Sequence, residues 1–414
     1  MFPYWQSEER WRARALLGVI VALTVGGVVI LVQINDWNRA FYEALQNYDF
    51  AAFGPLLLRF CVLAALYIVA AGYKQYFTQK LEMHWRTWLT QRFVTNWLHQ
   101  RVYYQLELQP QGTDNPDQRI GEDLRLFTTY TLDLAVGLLQ SVLTLVSFVV
   151  ILWHLSGTLM LGPITLPGYM VWVAVVYALA GSLLTRLIGR PLIGLNFRLQ
   201  RNEADFRFNL VRVRENAEGI ALYRGEEVET SGLLGRFEHI RGTWWELIAA
   251  TKRLTFFTVG FNQVAVVFPL LVSAPRYFAG EISLGVLIQI ANAFGQVQSA
   301  LSWFVESYAS LAIWKASTDR LLTFQQRMRM ARAHTEQPPV AVHADSPTDL
   351  YTRQLDLQLP DGTLLLADAS FCIEPRRWLM VSGPNGSGKS TLFRAIAGIW
   401  PFGRGEIHVP ADAR

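Results

Sequence analysis

The sequence predicts an α-helical polytopic membrane domain with six transmembrane helices, followed by the N-terminal part of an α/β domain. The 414-residue chain is 51% hydrophobic with a mean hydropathy of +0.21, which is too apolar for an ordinary soluble enzyme. The apolar residues form long runs, and a glycine-rich motif follows them near the C-terminus. The predicted boundaries are a membrane domain at 1–324, a linker at 325–350 and a partial α/β domain at 351–414.

Six apolar runs are long enough to cross a bilayer as helices. A helix rises about 1.5 Å per residue, so about 20 residues cross about 30 Å of hydrocarbon. Polar residues interrupt the last two runs. No small-residue cleavage site follows the first run, so we expect a retained span rather than a signal peptide. The predicted spans are 15–34, 55–78, 131–155, 170–189, 255–278 and 284–312.

The distribution of basic residues predicts the orientation. The segment before the first span and the segments 79–130 and 190–253 are rich in Arg, whereas 35–54 and 156–169 together hold a single basic residue, Arg39. Basic residues favour the cytoplasmic side of a membrane. We therefore expect the N-terminus, and everything after the last span, to be cytoplasmic.

Charge and cysteine content exclude several classes of function. The net charge of +4 is modest and its Arg residues lie where a membrane protein needs cytoplasmic charge, so nucleic-acid binding is not predicted. Of the two cysteines, Cys61 lies in an apolar run and Cys372 precedes the glycine-rich motif, which favours neither a disulfide framework nor a zinc site.

The regions outside the spans also carry local signals. An apolar stripe along 199–224 predicts a cytoplasmic helix, and Asn115 followed by Pro116 predicts another helix start. The polar, Pro-bearing segment 325–350 shows little periodicity and is interpreted as the linker. Beyond it we predict short strands, with turns at 360–362 and 374–375.

The glycine-rich motif has the pattern of a phosphate-binding loop. GPNGSGKS (383–390) fits G-x-x-x-x-G-K-[ST], with a predicted strand before it (378–381) and a predicted helix after it (390–399). Glycines let backbone N–H groups face an anion, Lys389 should reach the β- and γ-phosphates, and Ser390 should hold Mg²⁺. The second domain is thus predicted to be a P-loop nucleotide-binding domain for ATP and Mg²⁺. The predicted binding residues are Gly383, Pro384, Asn385, Gly386, Ser387, Gly388, Lys389, Ser390 and Thr391.

A polar stripe marks the last predicted span. Its members recur at spacings of three, four, three and seven residues, so they share one helical face. Polar groups in lipid usually face a cavity or another helix. The stripe is interpreted either as the lining of a hydrophilic path with its acidic residue near the cytoplasmic end, or as inter-helix hydrogen bonding. It comprises Gln289, Asn292, Gln296, Ser299 and Glu306.

Seven segments together resemble one family. They are DWNRAFYEALQ (36–46), WRTWL (85–89), NPDQRI (115–120), EADFR (203–207), RENAEGIA (214–221), PRYFAGE (275–281) and AFGQV (293–297). With six spans and a P-loop, the chain resembles an ABC transporter half-molecule of the YddA-like branch. This branch has an SbmA/BacA-like membrane domain and is related to ABC subfamily D.

The resemblance implies a type-1 exporter-like fold in a bacterial inner membrane. It also implies a homodimer that holds ATP between two nucleotide-binding domains. Coupling helices are implied near 115–123 and 216–224, with Asn115, Asp117, Glu215 and Glu218 as coupling residues.

The sequence departs from the family pattern in two places. Where the family usually has an aromatic residue that stacks on adenine, this chain has LQLP (357–360), and Tyr351 is the alternative. The family's glutamine loop, signature, Walker B glutamate and switch histidine lie downstream of the P-loop, and none follows Gly388 here. We therefore predict no catalytic residue within these 414 residues, and a usual domain of this kind would extend about 150 residues further.

The leading interpretation is an ATP-driven transporter of a polar solute, such as a peptide or a cofactor-like molecule. One alternative is a permease driven by the proton gradient, with a vestigial ATPase domain. Another is a membrane scaffold that binds nucleotide and signals. The intact Gly388-Lys389-Ser390 favours the first.

Overall fold

A computed structural model describes residues 4–108, 115–161, 164–336, 340–346 and 348–410. The chain divides into two compact units, each described by itself below. The first unit contains Met1–Val19, Tyr76–Ala135 and Ala309–Arg414, and the second contains Ile20–Gln75 and Val136–Tyr308.

The membrane part consists of long helices, as the sequence predicts. Among the described residues, five helices are long and apolar enough to span a membrane. These five helices include the segments numbered α1, α2, α5, α6 and α8, whose bounds are given next. The helices are α1 (Arg10–Gln46), α2 (Phe50–Leu98), α3 (Val102–Glu107), α4 (Pro116–Gln118), α5 (Leu124–Ser156), α6 (Tyr169–Glu215), α7 (Ala217–Tyr223), α8 (Glu226–Phe278), α9 (Leu284–Glu306), α10 (Tyr308–Glu336) and α11 (Lys389–Ile396).

The sixth predicted span, 284–312, is not one helix. α9 ends at Glu306, Ser307 caps it, and α10 begins at Tyr308. α9 is also outside the set that is long and apolar enough to span a membrane. Its polar stripe lowers its hydropathy, and packing against other helices replaces contact with lipid.

The predicted first outer loop, 35–54, is mostly helical. α1 continues to Gln46 and α2 begins at Phe50. Trp37 is buried, and its Nε1 donates a hydrogen bond to the carbonyl oxygen of Leu56 at 2.7 Å. The outer ends of α1 and α2 therefore pack on each other, which holds the chain helical beyond the apolar run.

The core of the second unit lies where α5, α6 and α9 meet. Phe148 and Leu152 of α5, Met170 of α6 and Phe294 of α9 are at most 1% exposed. Tyr177 of α6 stacks on rings of α8 and donates from its hydroxyl to the carbonyl oxygen of Phe261 at 2.6 Å. One face of α9 is thus packed against other helices of the protein.

A polar seam joins the outer end of α1 to the start of α9. Ser283 Oγ donates to Glu43 Oε1 at 2.8 Å, and the backbone N–H of Leu284 donates to Gln46 Oε1 at 2.8 Å. The helices approach so closely that a Cβ atom added at Gly285 would collide with the carbonyl oxygen of Arg39. Only glycine fits this crossing.

Gly285→Ala is therefore expected to destabilise the protein by about 1–3 kcal/mol, because backbone must move to admit the methyl group. Gly295→Ala, on the same helix, is the matched control. A Cβ atom there meets nothing within 4 Å, so alanine should be neutral or stabilise the helix by up to about 1 kcal/mol. Unfolding midpoints in detergent measure both, and equal effects would contradict the close crossing.

The first unit is held by aromatic packing and a buried ion pair. Tyr4 is 1% exposed and stacks on Trp85 of α2, with a centroid distance of 5.8 Å. Burial, with a smaller contribution from Glu9, raises the pKa of Tyr4 to about 12. Asp123, in the π-helical turn Arg119–Asp123 that precedes α5, binds Arg320 of α10 through both carboxylate oxygens, at 2.5 and 2.9 Å.

The region interpreted as a linker, 325–350, contains regular structure. α10 continues to Glu336, and Met328 and Ala331 are buried on its inner face. Gln, Arg, Met and Ala are good helix formers, which favours this continuation. Residues 337–339 and 347 lie outside the described part, and a strand occupies 340–346 between them.

The C-terminal region is a five-stranded sheet with α11 packed on it. The strand order is β3-β7-β4-β5, with β6 paired to β4; β3 and β7 are parallel and the other pairs are antiparallel. Leu355, Ile407 and Ala395 are fully buried between sheet and helix. The strands are β3 (Val340–Ser346), β4 (Leu350–Gln358), β5 (Leu364–Ala369), β6 (Cys372–Ile373) and β7 (Gly403–Pro410); a hairpin, β1 (Thr158–Leu161) and β2 (Ile164–Pro167), belongs to the second unit.

The turns were predicted correctly, but one strand was not. Gly362 N donates to Leu359 O and Arg377 N donates to Glu374 O, which confirms the turns at 360–362 and 374–375. Residues 378–381, predicted as a strand, have no regular secondary structure. No described strand pairs with them, and Trp378 is fully exposed. An extended segment without a neighbour lacks the hydrogen bonds that define a strand.

Candidate functional site

The P-loop leads directly into α11. Gly388 is the N-cap with φ 88°, and Gly386 has φ 84°, left-handed conformations that side chains other than glycine rarely adopt. α11 begins at Lys389, so the unpaired N–H groups of its first turn face the loop. Ser390 is exposed at this end and Thr391 is buried against the sheet. The predicted binding residues thus lie together in the P-loop and the first turn of α11.

The lysine of the loop lies inside its turn. Lys389 Nζ donates to the carbonyl oxygens of Gly383 and Pro384, both at 2.7 Å. A phosphate oxygen competes well with neutral carbonyls for an ammonium group because charge-assisted hydrogen bonds are stronger. The loop conformation, the helix terminus and the lysine therefore fit a nucleoside phosphate. Ser390 would hold Mg²⁺ through its hydroxyl group.

The other end of α11 is bound by the extension of α2. Arg101 Nη1 donates to the carbonyl oxygens of Ala397 and Gly398 at 3.2 and 3.4 Å, and Gln105 Nε2 donates to Ile399 O at 3.4 Å. A guanidinium group at a helix C-terminus also interacts favourably with the helix dipole. One short helix therefore connects the P-loop to the extension of α2.

Sequence reasoning missed Arg101 and Gln105. Gln100 and Arg101 have φ values of 52° and 60°, an abrupt bend that turns the chain toward α11. Neither residue is glycine, so no pattern in the sequence marks the bend. The four predicted coupling residues are all exposed, beside the ends of α4, α6 and α7: Asn115, Asp117, Glu215 and Glu218. Asn115 is the N-cap of α4, but its side chain makes no capping hydrogen bond.

Tyr351, the alternative adenine-stacking residue, lies at the end of β4 away from the P-loop. Its ring stacks on His408 at 4.5 Å with an interplanar angle of 9°. The P-loop contacts the opposite end of the sheet, where Gly388 lies against Leu365 of β5 and Gln358 of β4 pairs with Leu364. Tyr351 and Gln358 are the two ends of a strand that rises about 3.3 Å per residue.

His408 forms a charged contact at this far end. Its Nδ1 lies 2.7 Å from Asp345 Oδ1 and its Nε2 lies 3.4 Å from Glu406 Oε2. The hydrogen bond to Asp345 is the main cause that raises the pKa of His408 above its usual value. The protonated ring is therefore favoured by the fold.

A pH dependence of stability follows. Because the folded-state pKa is raised, the stabilisation is complete below the unfolded pKa and is lost as the pH rises through the folded pKa. We expect the midpoint temperature of unfolding to be lower at pH 8.5 than at pH 6. His408→Gln should reduce the difference between the two temperatures. His239→Gln, at an exposed position on α8, is the control. Scanning calorimetry at both pH values checks this, and an unchanged slope in His408→Gln would contradict it.

The membrane part contains a polar cavity of about 500 Å³ between α8 and α9. Four of the five stripe residues line it: Asn292, Gln296, Ser299 and Glu306. Asn262 of α8 adds a further amide from the facing helix. The remaining lining residues are Ala265, Val266, Ala291, Gly295, Gln298 and Ser302.

The fifth stripe residue, Gln289, makes an inter-helix contact instead. It is 3% exposed, and its Nε2 donates to Asp36 Oδ1 of α1 at 2.9 Å. Asn35 Nδ2 donates to the backbone oxygen of Gln289 at 3.2 Å. The stripe therefore divides into a part that binds α1 and a part that faces the cavity. The inter-helix interpretation is confirmed for Gln289, and the path interpretation stays a prediction for the other four residues.

Comparison with known proteins agrees with this architecture. Residues 1–278 match the family model described as ABC transporter transmembrane region 2, and residues 366–413 match the model described as ABC transporter. The chain belongs to the ABC transporter family. It is a multi-pass membrane protein, and its P-loop region is part of an ATP-binding domain.

Individual relatives lead to the same conclusion. The chain is 33% identical to the inner membrane ABC transporter ATP-binding protein YddA of Escherichia coli, covering 99% of this chain and 73% of the relative. It is 33% identical to the chloroplastic ABC transporter D family member 2 of Arabidopsis thaliana, covering 98% and 59%. It is 24% identical to the human lysosomal cobalamin transporter ABCD4, covering 100% and 69%. The chain thus spans between about three-fifths and three-quarters of the length of these ABC relatives.

A solved structure supports the fold. A bacterial Atm1-family ABC exporter with ATP bound superposes with a TM-score of 0.65 at 13% identity, covering 95% of this chain and 67% of that chain. This likeness confirms the predicted fold class of an exporter-like helical domain followed by part of an α/β domain.

Proposed function

We propose that this ABC family member moves a polar solute across a bacterial inner membrane, driven by ATP binding and hydrolysis in a homodimer. The observation that carries the proposal is the double attachment of α11. Its N-terminus forms the phosphate site, and its C-terminus is held by Arg101 and Gln105 of the cytoplasmic extension. A shift of the P-loop on ATP binding would therefore pull on the extension of a membrane helix.

The cavity supports a polar cargo. Amide and hydroxyl groups dominate its side-chain lining, and such groups are costly in a membrane unless they serve a path or a partner. A volume of about 500 Å³ is suitable for a small solute or part of a larger one. The name of the human relative, a cobalamin transporter, makes a cofactor-like solute a suitable first probe.

Exposed apolar residues support the homodimer. Outside the predicted spans, Phe208, Leu222, Tyr223 and Trp245 are between 66% and 89% exposed on α6, α7 and α8. The described part of this chain does not cover them. A second copy that packs on these helices would cover such side chains while supplying a second nucleotide site.

The test uses the native protein purified from its own membrane and reconstituted in sealed vesicles, with the intact mass recorded first. Cyanocobalamin and trialanine are the probes. ATP-dependent accumulation that Lys389→Ala abolishes and a protonophore leaves intact would support the proposal. Accumulation that a protonophore abolishes and Lys389→Ala retains would favour the gradient-driven permease. ATP binding with neither hydrolysis nor accumulation would favour the scaffold.

A further inference from the structure

The cavity between α8 and α9 has a lining with a single formal charge. Its polar side chains are neutral amides and hydroxyls, apart from the carboxylate of Glu306, and none of its lining residues is Lys, Arg or His. Amides and hydroxyls can both donate and accept hydrogen bonds, so they do not discriminate between a cation and an anion. Selection by charge is left to Glu306.

The negative charge of Glu306 is not neutralised by a neighbouring cation. Glu306 is the last residue of α9, and its side chain lies at the end of the cavity where α9 ends. Within the described ranges no Lys or Arg forms an ion pair with the exposed Glu306 carboxylate. Its negative potential therefore acts on this end of the cavity.

We propose that this cavity admits solutes that carry a positive charge and disfavours anions, with Glu306 as the specificity-determining residue. The inference rests on the proposed transport function, because it assigns the charge of the cargo that the same cavity accepts. At about 7 Å and low ionic strength, one carboxylate favours a monovalent cation over a monovalent anion by roughly sevenfold in water, and added salt reduces this factor.

The electrostatic potential of the cavity can be measured without knowing the cargo. Cys61 and Cys372 are both exposed, so each is first replaced by serine. Ser302→Cys then places one thiol in the cavity lining. In membrane vesicles, that thiol is reacted with a trimethylammonium-ethyl methanethiosulfonate and with a sulfonatoethyl methanethiosulfonate. The rate with the cationic reagent is divided by the rate with the anionic reagent. This ratio, divided by the same ratio for free cysteine, reports the electrostatic potential at the introduced thiol.

In low-salt buffer we expect the corrected ratio to favour the cationic reagent by up to about sevenfold, and to fall toward one when Glu306→Gln is added. Glu246→Gln is the matched control, because it removes the same charge from α8 at an exposed ion pair with Arg198. It should leave the ratio unchanged.

The outcomes separate this inference from the function on which it rests. Ready reaction with a ratio near one, or a ratio that Glu306→Gln does not lower, overturns the charge preference and leaves the path intact. Failure of both reagents to reach the introduced thiol from either side of the membrane means that the cavity is closed to solutes. That result would overturn the proposed path and the charge preference together.

Discussion

Replacement of Lys389 by alanine is expected to weaken ATP binding at least about tenfold, the largest functional effect that we predict for a single side chain. The ammonium group now donates to Gly383 and Pro384 at 2.7 Å within the P-loop turn. A hydrogen bond between charged groups contributes about 1.5–3 kcal/mol, and about 1.4 kcal/mol corresponds to tenfold in affinity. Titration of the purified protein in nanodiscs with a fluorescent ATP analogue measures the change.

The matched control for Lys389→Ala is Arg394→Ala on the same helix. Arg394 has the same charge, but its guanidinium lies over the ring of Trp400, 5.8 Å from the centroid, at the opposite end of α11. Removal of this guanidinium group should change the affinity for ATP by less than about threefold. Solvent and salt screen a charge that lies at the far end of the helix from the P-loop. Equal losses in both variants would indicate that net charge, rather than the position of Lys389, governs binding.

Asp123→Asn is expected to produce the largest loss of stability, about 3 kcal/mol. The carboxylate is 1% exposed and binds Arg119 at 2.7 Å and Arg320 at 2.5 Å. Removal of one partner leaves a buried charge uncompensated, which typically costs about 3–5 kcal/mol. The side chain of Arg320 is 40% exposed, so water can solvate it in the variant and we take the lower end. Unfolding midpoints and hydrogen exchange in α10 measure the effect.

The control for Asp123→Asn is Glu246→Gln. The pair between Arg198 and Glu246 has a similar distance, 2.5 Å, but both side chains are 56% exposed. An exposed ion pair contributes at most about 1 kcal/mol, so this variant should be nearly as stable as the wild type. A comparable loss in the two variants would mean that burial of Asp123 has no special importance.

The ion pairs of Asp123 also make the stability of the fold depend on pH in the acidic range, in a direction that can be predicted. Burial alone would raise the pKa of Asp123, but the hydrogen bonds from Arg320 and Arg119 outweigh it, and the pKa is lowered. The stabilisation is therefore present above the unfolded pKa of about 3.9 and is lost as the pH falls through the folded pKa. Asp123→Asn should remove this part of the acid-induced loss of stability.

The sequence determined the architecture through features that act locally. Apolar runs require lipid or burial at any position in a fold, and GPNGSGKS requires a glycine-rich turn before a helix, so five spans and the P-loop could be located directly. The turns at 360–362 and 374–375 were predictable for the same reason. These signals depend on residues that are neighbours in the chain.

Tertiary structure decided what depends on residues far apart in the chain. Gln289 and Glu306 share a stripe, yet one binds α1 and the other lines a cavity, because α1 covers only the outer part of α9. Segment 378–381 reads as a strand but has no strand beside it, and 325–336 reads as a linker but packs as helix. Arg101 reaches α11 through a bend that carries no glycine. Packing partners determine each of these outcomes, and periodicity along one segment does not specify which partner it will meet.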